Sequence, residues 1–433
     1  MLERTTRGEG YKLRPMFALR QSLVGRLGPQ EGFAAWQGAL PQSVLPPASA
    51  IRHVPLIPMF EAVADIAHIA PGGRPIEATP PRVIGHGNHR VLRKTGRAIY
   101  TGRLNDVLLF GGSGAMITDQ GVAWDFEGDE IAATADAIDL DPALVSYDPV
   151  TENVWALDHP GDVLEVQSGF NLLGWSTGHF GHWMMEYLPK FILAQSRGSV
   201  PFGCRVLVDD GMPQSHYDAL THLLPDGVEM QIVPRFAPVR VQHLRVISSL
   251  NYGALAPQSD SVPLDQGAVD PELFSTAAGA MAAKLDDAIA QTDAPEKVYL
   301  SRRAFARRAL LNVDAIEDVA REEGFSVVQP ESLCFFDQFR CLRGARVIAG
   351  PEGSSMMLGM FCRPGVQAVL LNHEETEHLA TLSAALERGG ARITVLTGPE
   401  EATHGKFAHN ASYRIDPEAF RQLLRDAAAA ADK

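Results

Sequence analysis

The stretch that decides the fold is "RVIAGPEGSSMMLGMFCRPGVQAVLLN", residues 346–372. A short apolar run, RVIAG, is followed by a glycine-containing turn, an apolar segment long enough for a helix, and a second apolar run, QAVLLN. Apolar runs of this length, bounded by Gly and Pro, are typical of strands that are buried on both faces. Two such strands joined by a helix lie parallel, with a right-handed crossover. The stretch therefore predicts a strand–helix–strand unit of a parallel sheet.

The same alternation extends on both sides of this stretch. Strands are predicted at 297–302, 325–330, 346–350, 367–372 and 391–396, and helices at 271–291, 312–324, 332–345, 353–361 and 375–390. Residues 205–247 show a second strand–helix–strand pattern, whereas residues 82–126 show short β-runs with a hairpin turn at Asp119–Gly121. The sequence thus predicts an α/β fold with two Rossmann-type domains facing a cleft, and a β-rich N-terminal segment.

The domain organisation follows from a polar linker at 256–273, which is rich in Pro, Ser and Asp. We predict a partly helical N-terminal extension at 1–80, a β-rich segment with an α/β domain at 81–262, and a Rossmann-like domain at 263–433. A chain of 433 residues is long enough for two such cores.

Composition excludes some classes of partner. The net charge of −14 argues against general nucleic-acid binding, which needs a basic face. The sequence has no apolar run of roughly 18 residues, so we expect a cytoplasmic protein. Residues 12–28 are compatible with a basic amphipathic helix, which either packs on its own domain or touches the inner face of the membrane. No oligomeric state is indicated.

Polar residues follow two predicted strands. Arg302 is the last residue of the strand predicted at 297–302, and Gly353, Ser354 and Ser355 open the helix after the strand at 346–350. Ligands of open parallel sheets bind at the carboxyl ends of the strands, where arginines and free N–H groups suit a diphosphate. Two alternatives stay open, because a basic cluster is often a solvated surface and Gly-Ser-Ser is an ordinary helix start.

A second group of polar residues lies in "GHFGHWMMEYLPKF", residues 178–191. On a helix, His182 and Glu186 are one turn apart and share a face. They form either a catalytic pair, a buried structural pair, or, together with His179, a zinc site. The zinc hypothesis lacks the HExxH spacing and an evident third ligand, so no metal site is predicted.

The chain resembles glycosyltransferase family 61. The resemblance is carried, in order, by "GHWMMEYLPKFILA", "VYLSRRAFARRALLN", "FSVVQPESLCFFDQFRCLRGARVIAGPEGSSMMLGMFCRPGVQAVLL" and "YRIDPEAFRQLL", and it runs from about residue 103 to the end. The family includes bacterial capsular-polysaccharide-type enzymes and eukaryotic transferases for GlcNAc, xylose or arabinose.

The resemblance implies a GT-B-like fold and metal-independent, inverting transfer from a nucleotide sugar to a glycan or lipid-linked glycan in surface polysaccharide synthesis, without a cofactor. By this resemblance His182 and Glu186 match the family's His-x-x-x-Asp/Glu pattern. The implied donor-binding positions are Arg302, Arg308, Asn312, Gln338, Glu352, Gly353, Ser354 and Ser355.

One position departs from the family pattern, because Glu352 stands where a histidine is common. A carboxylate beside a diphosphate is repulsive unless it makes another contact. A catalytically silent protein that binds a nucleotide sugar or a protein partner is therefore an alternative, and a zinc-dependent hydrolase is a second.

Overall fold

The computed structural model describes residues 14–40, 50–87, 91–126, 138, 141–159, 161–250, 270–286, 294–303, 308–374, 383, 386–402 and 411–432. In chain order the strands are β1 (Ala50–Pro58), β2 (Ala64–Ala70), β3 (Pro75–Ala78), β4 (Arg82–Ile84), β5 (Leu92–Thr95), β6 (Ile99–Phe110), β7 (Met116–Ile117), β8 (Val122–Trp124), β9 (Leu144–Asp148), β10 (Asn153–Asp158), β11 (Leu164–Asn171), β12 (Arg205–Asp209), β13 (Glu229–Val233), β14 (Pro238–Ile247), β15 (Lys297–Leu300), β16 (Ser326–Val328), β17 (Val347–Pro351), β18 (Gln367–His373), β19 (Arg392–Gly398), β20 (Glu400–Ala402) and β21 (Ser412–Tyr413).

The helices are α1 (Arg14–Leu27), α2 (Pro29–Ala39), α3 (Met59–Ala62), α4 (Phe180–His182), α5 (Leu188–Ser196), α6 (Gln214–Leu223), α7 (Pro271–Asp286), α8 (Val313–Glu322), α9 (Phe335–Gly344) and α10 (Pro417–Ala431). A π-helical turn spans Trp183–Tyr187, and 3-10 segments span Pro330–Ser332 and Ser354–Phe361.

The chain divides into two compact units. The first comprises Met1–Gly73 and Arg97–Gln266, and the second comprises Arg74–Gly96 and Gly267–Lys433. Residues 74–96 thus belong to the second unit although they precede most of the first. The predicted divisions after residues 80 and 262 stay predictions, and most of the predicted linker lies outside the described residues.

The first unit contains one mixed sheet of 11 strands, in the order β13-β12-β11-β14-β6-β7-β8-β1-β10-β9, with β2 also paired to β6. The strands β13, β12, β11 and β14 are parallel. The long strand β6 pairs antiparallel with β14 and joins this part to the β-rich part. The hairpin predicted at Asp119–Gly121 is confirmed, since β7 and β8 pair antiparallel around it. The predicted β-rich and α/β segments therefore form a single sheet.

The N-terminal helices pack on this unit. Phe17 and Trp36 are buried in its core, and Met16 and Leu23 lie against the same cluster. Arg20 is also fully buried and donates from Nη1 to the Asp141 carbonyl at 2.9 Å. In the described part of this segment, which begins at residue 14, Met16, Phe17 and Leu23 therefore pack on the protein's own core, as the first of the two interpretations predicts. Among the described residues, no helix is long and apolar enough to cross a membrane.

The second unit contains a six-stranded sheet in the order β16-β15-β17-β18-β19-β4. All of its strand pairs are parallel, which confirms the predicted parallel sheet. Helices α8 and α10 cover one face through a shared apolar cluster. On the other face α7 and α9 contact the 3-10 segment Ser354–Phe361. The strand order reverses between β15 and β17, because β16 is added on one side of β15 and β17 on the other, so this is the switch point at which such sheets bind ligands.

The connection from β17 to β18 corrects one prediction. The sequence predicts an α-helix at 353–361, whereas the structure has a 3-10 helix at Ser354–Phe361. A 3-10 helix rises roughly 2.0 Å per residue against 1.5 Å for an α-helix, so it spans more of the sheet with few residues. A Cβ on Gly359 would lie 3.1 Å from Ile348 Cδ1, which shows how closely the segment lies on β17.

Candidate active site

In the first unit a buried carboxylate fixes the loop that leads to the candidate site. Asp209, at the end of β12, accepts hydrogen bonds from the Gly112 N–H, from the Gly174 N–H at 2.9 Å and from Thr177 Oγ1 at 2.6 Å. Burial raises the pKa of Asp209 to about 6, although the bond from Thr177 acts to lower it. This residue was not singled out in the sequence, where an Asp at a strand end looks ordinary.

The loop ends in an irregular helix. The His179 side chain caps α4 by accepting from the His182 N–H at 3.4 Å. The backbone then widens into the π-helical turn Trp183–Tyr187 before α5 begins. Pro189 is the second residue of α5 and has no N–H to donate to the preceding turn. Single π-turns inside α-helices are frequent at functional sites.

The two predicted catalytic residues meet in this turn. His182 Nδ1 lies 2.7 Å from Glu186 Oε1, and the two side chains are 36% and 4% exposed. Burial acts to lower the pKa of His182, but the charge of Glu186 and the hydrogen bond to it outweigh burial and raise that pKa. A buried carboxylate is thus held by a partly accessible imidazole, an arrangement suited to proton transfer.

Aromatic rings surround the pair. Trp183 stacks on His216 with ring centroids 5.2 Å apart, and Trp175 lies 6.3 Å from the His182 ring. Burial lowers the pKa of His216 to about 3, so this imidazole is neutral near neutral pH. His216 Nδ1 is 2.9 Å from the Thr177 carbonyl and donates to it.

A lysine that the sequence analysis missed lies one turn after Glu186. Burial lowers the pKa of Lys190, while the charges of Asp125 and Glu186 act to raise it. Asp125 itself is bonded to Arg97 at 2.7 Å. Lys190 therefore supplies positive charge near Glu186, and its four-residue spacing from that residue was the signal that could have found it.

In the second unit, two predicted arginines and the unusual glutamate come together at the carboxyl edge of the sheet. Arg308 Nη1 forms a close ion pair with Glu352 Oε2. Arg302 Nη1 donates to the Arg308 carbonyl at 3.2 Å. Burial and the neighbouring Arg308 charge lower the pKa of Arg302, which nonetheless stays a cation. Glu352 is 8% exposed, and its charge is compensated by Arg308.

Two glycines allow this close packing. A Cβ on Gly350 would lie 2.5 Å from the Leu300 carbonyl oxygen, and its φ of +155° also disfavours other residues. A Cβ on Gly353 would lie 3.0 Å from Arg302 Nε. The backbone at the end of β17 therefore approaches both the end of β15 and the Arg302 guanidinium.

The remaining predicted donor residues have different surroundings. Asn312 Nδ2 donates to the Ile415 carbonyl at 2.7 Å and Oδ1 accepts from the Ile415 N–H at 3.2 Å, and the donor-binding role of Asn312 stays a prediction. Gln338 Nε2 donates to the carbonyls of Pro330 and Leu333 at 2.8 and 3.2 Å. Ser354 and Ser355 open the 3-10 segment, half-buried.

Arg303, which the sequence places beside Arg302, has a structural partner. It makes two bonds of 2.9 Å to the buried carboxylate of Glu317. Arg307, from the same basic cluster, lies outside the described residues. In the part of the chain that the structure describes, no three His, Cys, Asp or Glu side chains are grouped to hold a metal ion.

The comparison with protein families identifies the kind of enzyme. Residues 180–369 match the family model Glycosyltransferase 61. The chain carries a glycosyltransferase 61 domain. This glycosyltransferase domain includes the His182–Glu186 pair, both arginines and the Glu352–Ser355 loop, so both groups of site residues belong to the matched region. A domain of this family indicates a glycosyltransferase, an enzyme that moves a sugar from a donor to an acceptor. No curated protein matches the chain.

Proposed function

We propose that this glycosyltransferase is an inverting, metal-independent enzyme that uses a nucleotide sugar as its donor. The observation that carries the proposal is the 2.7 Å bond between His182 Nδ1 and the buried Glu186 carboxylate. An inverting transfer needs one base near the acceptor hydroxyl, and the pairing of the buried Glu186 carboxylate with the partly accessible His182 supports Glu186 in this role.

In this mechanism the acceptor oxygen attacks the anomeric carbon of the donor sugar. Glu186 takes the proton from the acceptor hydroxyl, and the bond from the anomeric carbon to the diphosphate oxygen breaks on the opposite face. His182 orients the carboxylate and stabilises its charge before the transfer. The nucleoside diphosphate leaves with the electron pair of the broken bond.

The leaving diphosphate needs positive charge, which Arg302 and Arg308 supply at the switch point of the parallel sheet. Glu352 lies beside this site as the ion-pair partner of Arg308, so it reduces the positive charge that Arg308 offers to a diphosphate. The proposal also includes a GT-B arrangement of the two units, a glycan or lipid-linked glycan as acceptor, and a place in surface polysaccharide synthesis on the cytoplasmic side of the membrane. The arrangement, the acceptor and the place in polysaccharide synthesis rest on the family resemblance, and the cytoplasmic side rests on the expectation from the sequence.

The ion pair between Arg308 and Glu352 favours a second candidate function. If Glu352 keeps Arg308 permanently, the protein binds a nucleotide sugar or a protein partner without transferring sugar. Incubation with a panel of nucleotide sugars separates the two, because a transferase also passes the sugar slowly to water, whereas a silent protein leaves every donor intact. A zinc hydrolase would contain stoichiometric zinc in the purified protein.

Titration calorimetry tests the donor site directly. Arg302→Ala is expected to weaken binding of a nucleoside diphosphate by about 1.5–3 kcal/mol, the range for a charge-assisted hydrogen bond. Arg363→Ala is the matched control, since Arg363 is exposed and precedes β18 at the opposite edge of the same sheet. Equal affinities for the wild type and Arg302→Ala would remove Arg302 from the site.

A further inference from the structure

Asn372 lies at the carboxyl end of β18, next to the candidate donor site. It is the penultimate residue of that strand, whose neighbour on one side is β17. The Glu352 N–H donates to the Leu371 carbonyl at 2.8 Å, so the loop that leaves β17 starts directly beside Asn372. Asn372 lies outside the residues matched by the family model, which end at residue 369.

Only the oxygen of the Asn372 amide has a hydrogen-bond partner among the described residues. Its side chain is 1% exposed, and Oδ1 accepts from the His373 N–H at 2.8 Å, which fixes the orientation of the amide. Nδ2 has no hydrogen-bond partner among the residues that the structure describes. Leaving a buried donor unpaired is unfavourable, because the group loses its hydrogen bonds to water and gains none in the protein. Within the described ranges, the two N–H groups on Asn372 Nδ2 are therefore buried without an acceptor.

The face on which Asn372 lies also points to a ligand. Leu371 belongs to the cluster under α8 and α10, and alternation along the strand places Asn372 on the opposite face. That face carries the 3-10 segment Ser354–Phe361, whose Ser355 Oγ is likewise buried and has no partner in the described part of the chain. Two buried polar groups, Asn372 Nδ2 and Ser355 Oγ, thus lie on the same face of the sheet near the carboxyl ends of β18 and β17, without a described hydrogen-bond partner.

We propose that Asn372 is a donor-binding residue whose Nδ2 donates a hydrogen bond to an oxygen of the nucleoside diphosphate. Phosphate, ribose and base oxygens all accept such a bond, and each is part of a nucleotide sugar. This inference rests on the proposed donor role of the second unit. Arg302 and Arg308 supply positive charge. Asn372 supplies a neutral hydrogen-bond donor whose orientation is fixed, and so helps to position the nucleotide.

The test is calorimetric titration of the full chain with uridine, guanosine, adenosine and cytidine diphosphates, and with inorganic pyrophosphate. Asn372→Ser is expected to weaken the tightest of these diphosphates by about 5- to 30-fold, the effect of losing one such bond. Asn372→Asp keeps the acceptor for the His373 N–H but has no donor, so it weakens binding further; it also serves if the serine variant fails to fold. An equal loss for pyrophosphate assigns the bond to a phosphate oxygen, and a loss confined to the nucleotide assigns it to ribose or base.

The matched control is Ser412→Ala in β21, which removes another fully buried hydroxyl that has no partner among the residues with described structure. It should leave nucleotide affinity unchanged. Wild-type affinity in both Asn372 variants would overturn the inference and leave the proposed function intact. A wild-type protein that binds none of the diphosphates would instead overturn the donor role of the second unit, and this inference with it.

Discussion

At the scale of single residues, the effect of the Glu352 charge on diphosphate binding depends on the partner of that carboxylate. In the sequence it is a carboxylate where the family commonly has a histidine, and so a source of repulsion for a diphosphate. In the structure its Oε2 forms an ion pair with Arg308 Nη1, the group that would also bind a phosphate. Glu352 therefore competes with the nucleotide for the guanidinium.

This competition predicts that Glu352→Gln binds nucleoside diphosphates more tightly. Losing the competing charge should raise the affinity about fivefold, which corresponds to roughly 1 kcal/mol. Glu331→Gln is the control, since Glu331 is an exposed acid whose charge reaches Arg302. It should change the affinity less. Calorimetry that shows weaker binding by Glu352→Gln would mean that the carboxylate contacts the donor itself.

The raised pKa of His182 predicts a dependence of stability on pH. A group with a raised pKa in the folded state contributes stability fully below its unfolded pKa of about 6.5, and this contribution is lost as the pH rises through the folded pKa. The stability difference between the wild type and His182→Gln should therefore shrink as the pH rises from about 6.5 through the raised pKa of His182. Denaturant unfolding of both proteins at each pH measures it. A difference that grows with pH would contradict the assigned ion pair.

At the scale of elements, the contact between the ends of β15 and β17 positions the donor site. Gly350→Ala should destabilise the second unit and weaken nucleotide binding, because its Cβ would lie 2.5 Å from the Leu300 carbonyl oxygen. Gly279→Ala is the matched control, since no atom lies within 4 Å of its added Cβ in α7. It should stabilise the helix by up to about 1 kcal/mol. Thermal unfolding and calorimetry test both, and equal melting temperatures would contradict the close approach.

Regular elements were predictable, and irregular ones were not. The helix predicted at 312–324 is α8, Val313–Glu322, because its apolar residues recur at helical spacing and mark one face. The π-turn Trp183–Tyr187 has no such pattern, since Pro189 alone signals an interrupted helix and does not fix the turn that precedes it. The 3-10 segment after β17 was not predictable for the same reason, because its type of helix depends on the distance that it spans over the sheet.

At the scale of the whole molecule, long-range pairing was the part that the sequence did not reveal. β4, only three residues long, completes the parallel sheet by pairing with β19 through Ile84 and Leu396. Nothing local in so short a strand indicates a partner so distant in the chain. The pairing of His182 with Glu186 was predictable from a four-residue spacing, whereas the pairing of Arg308 with Glu352 depends on the sheet that brings the two loops together.

The central claim is that Glu186 is the base of the transfer, and one substitution tests it. Glu186→Gln keeps the shape of the side chain but cannot take the proton of the acceptor, so turnover should fall by about 10²- to 10⁴-fold while the affinity for the nucleotide persists. The measurement is the rate of donor consumption per folded molecule, with the melting temperature taken on the same preparation. A Glu186→Gln protein that melts at a lower temperature yet consumes donor at the wild-type rate would contradict the account, because the His182–Glu186 pair would then be structural.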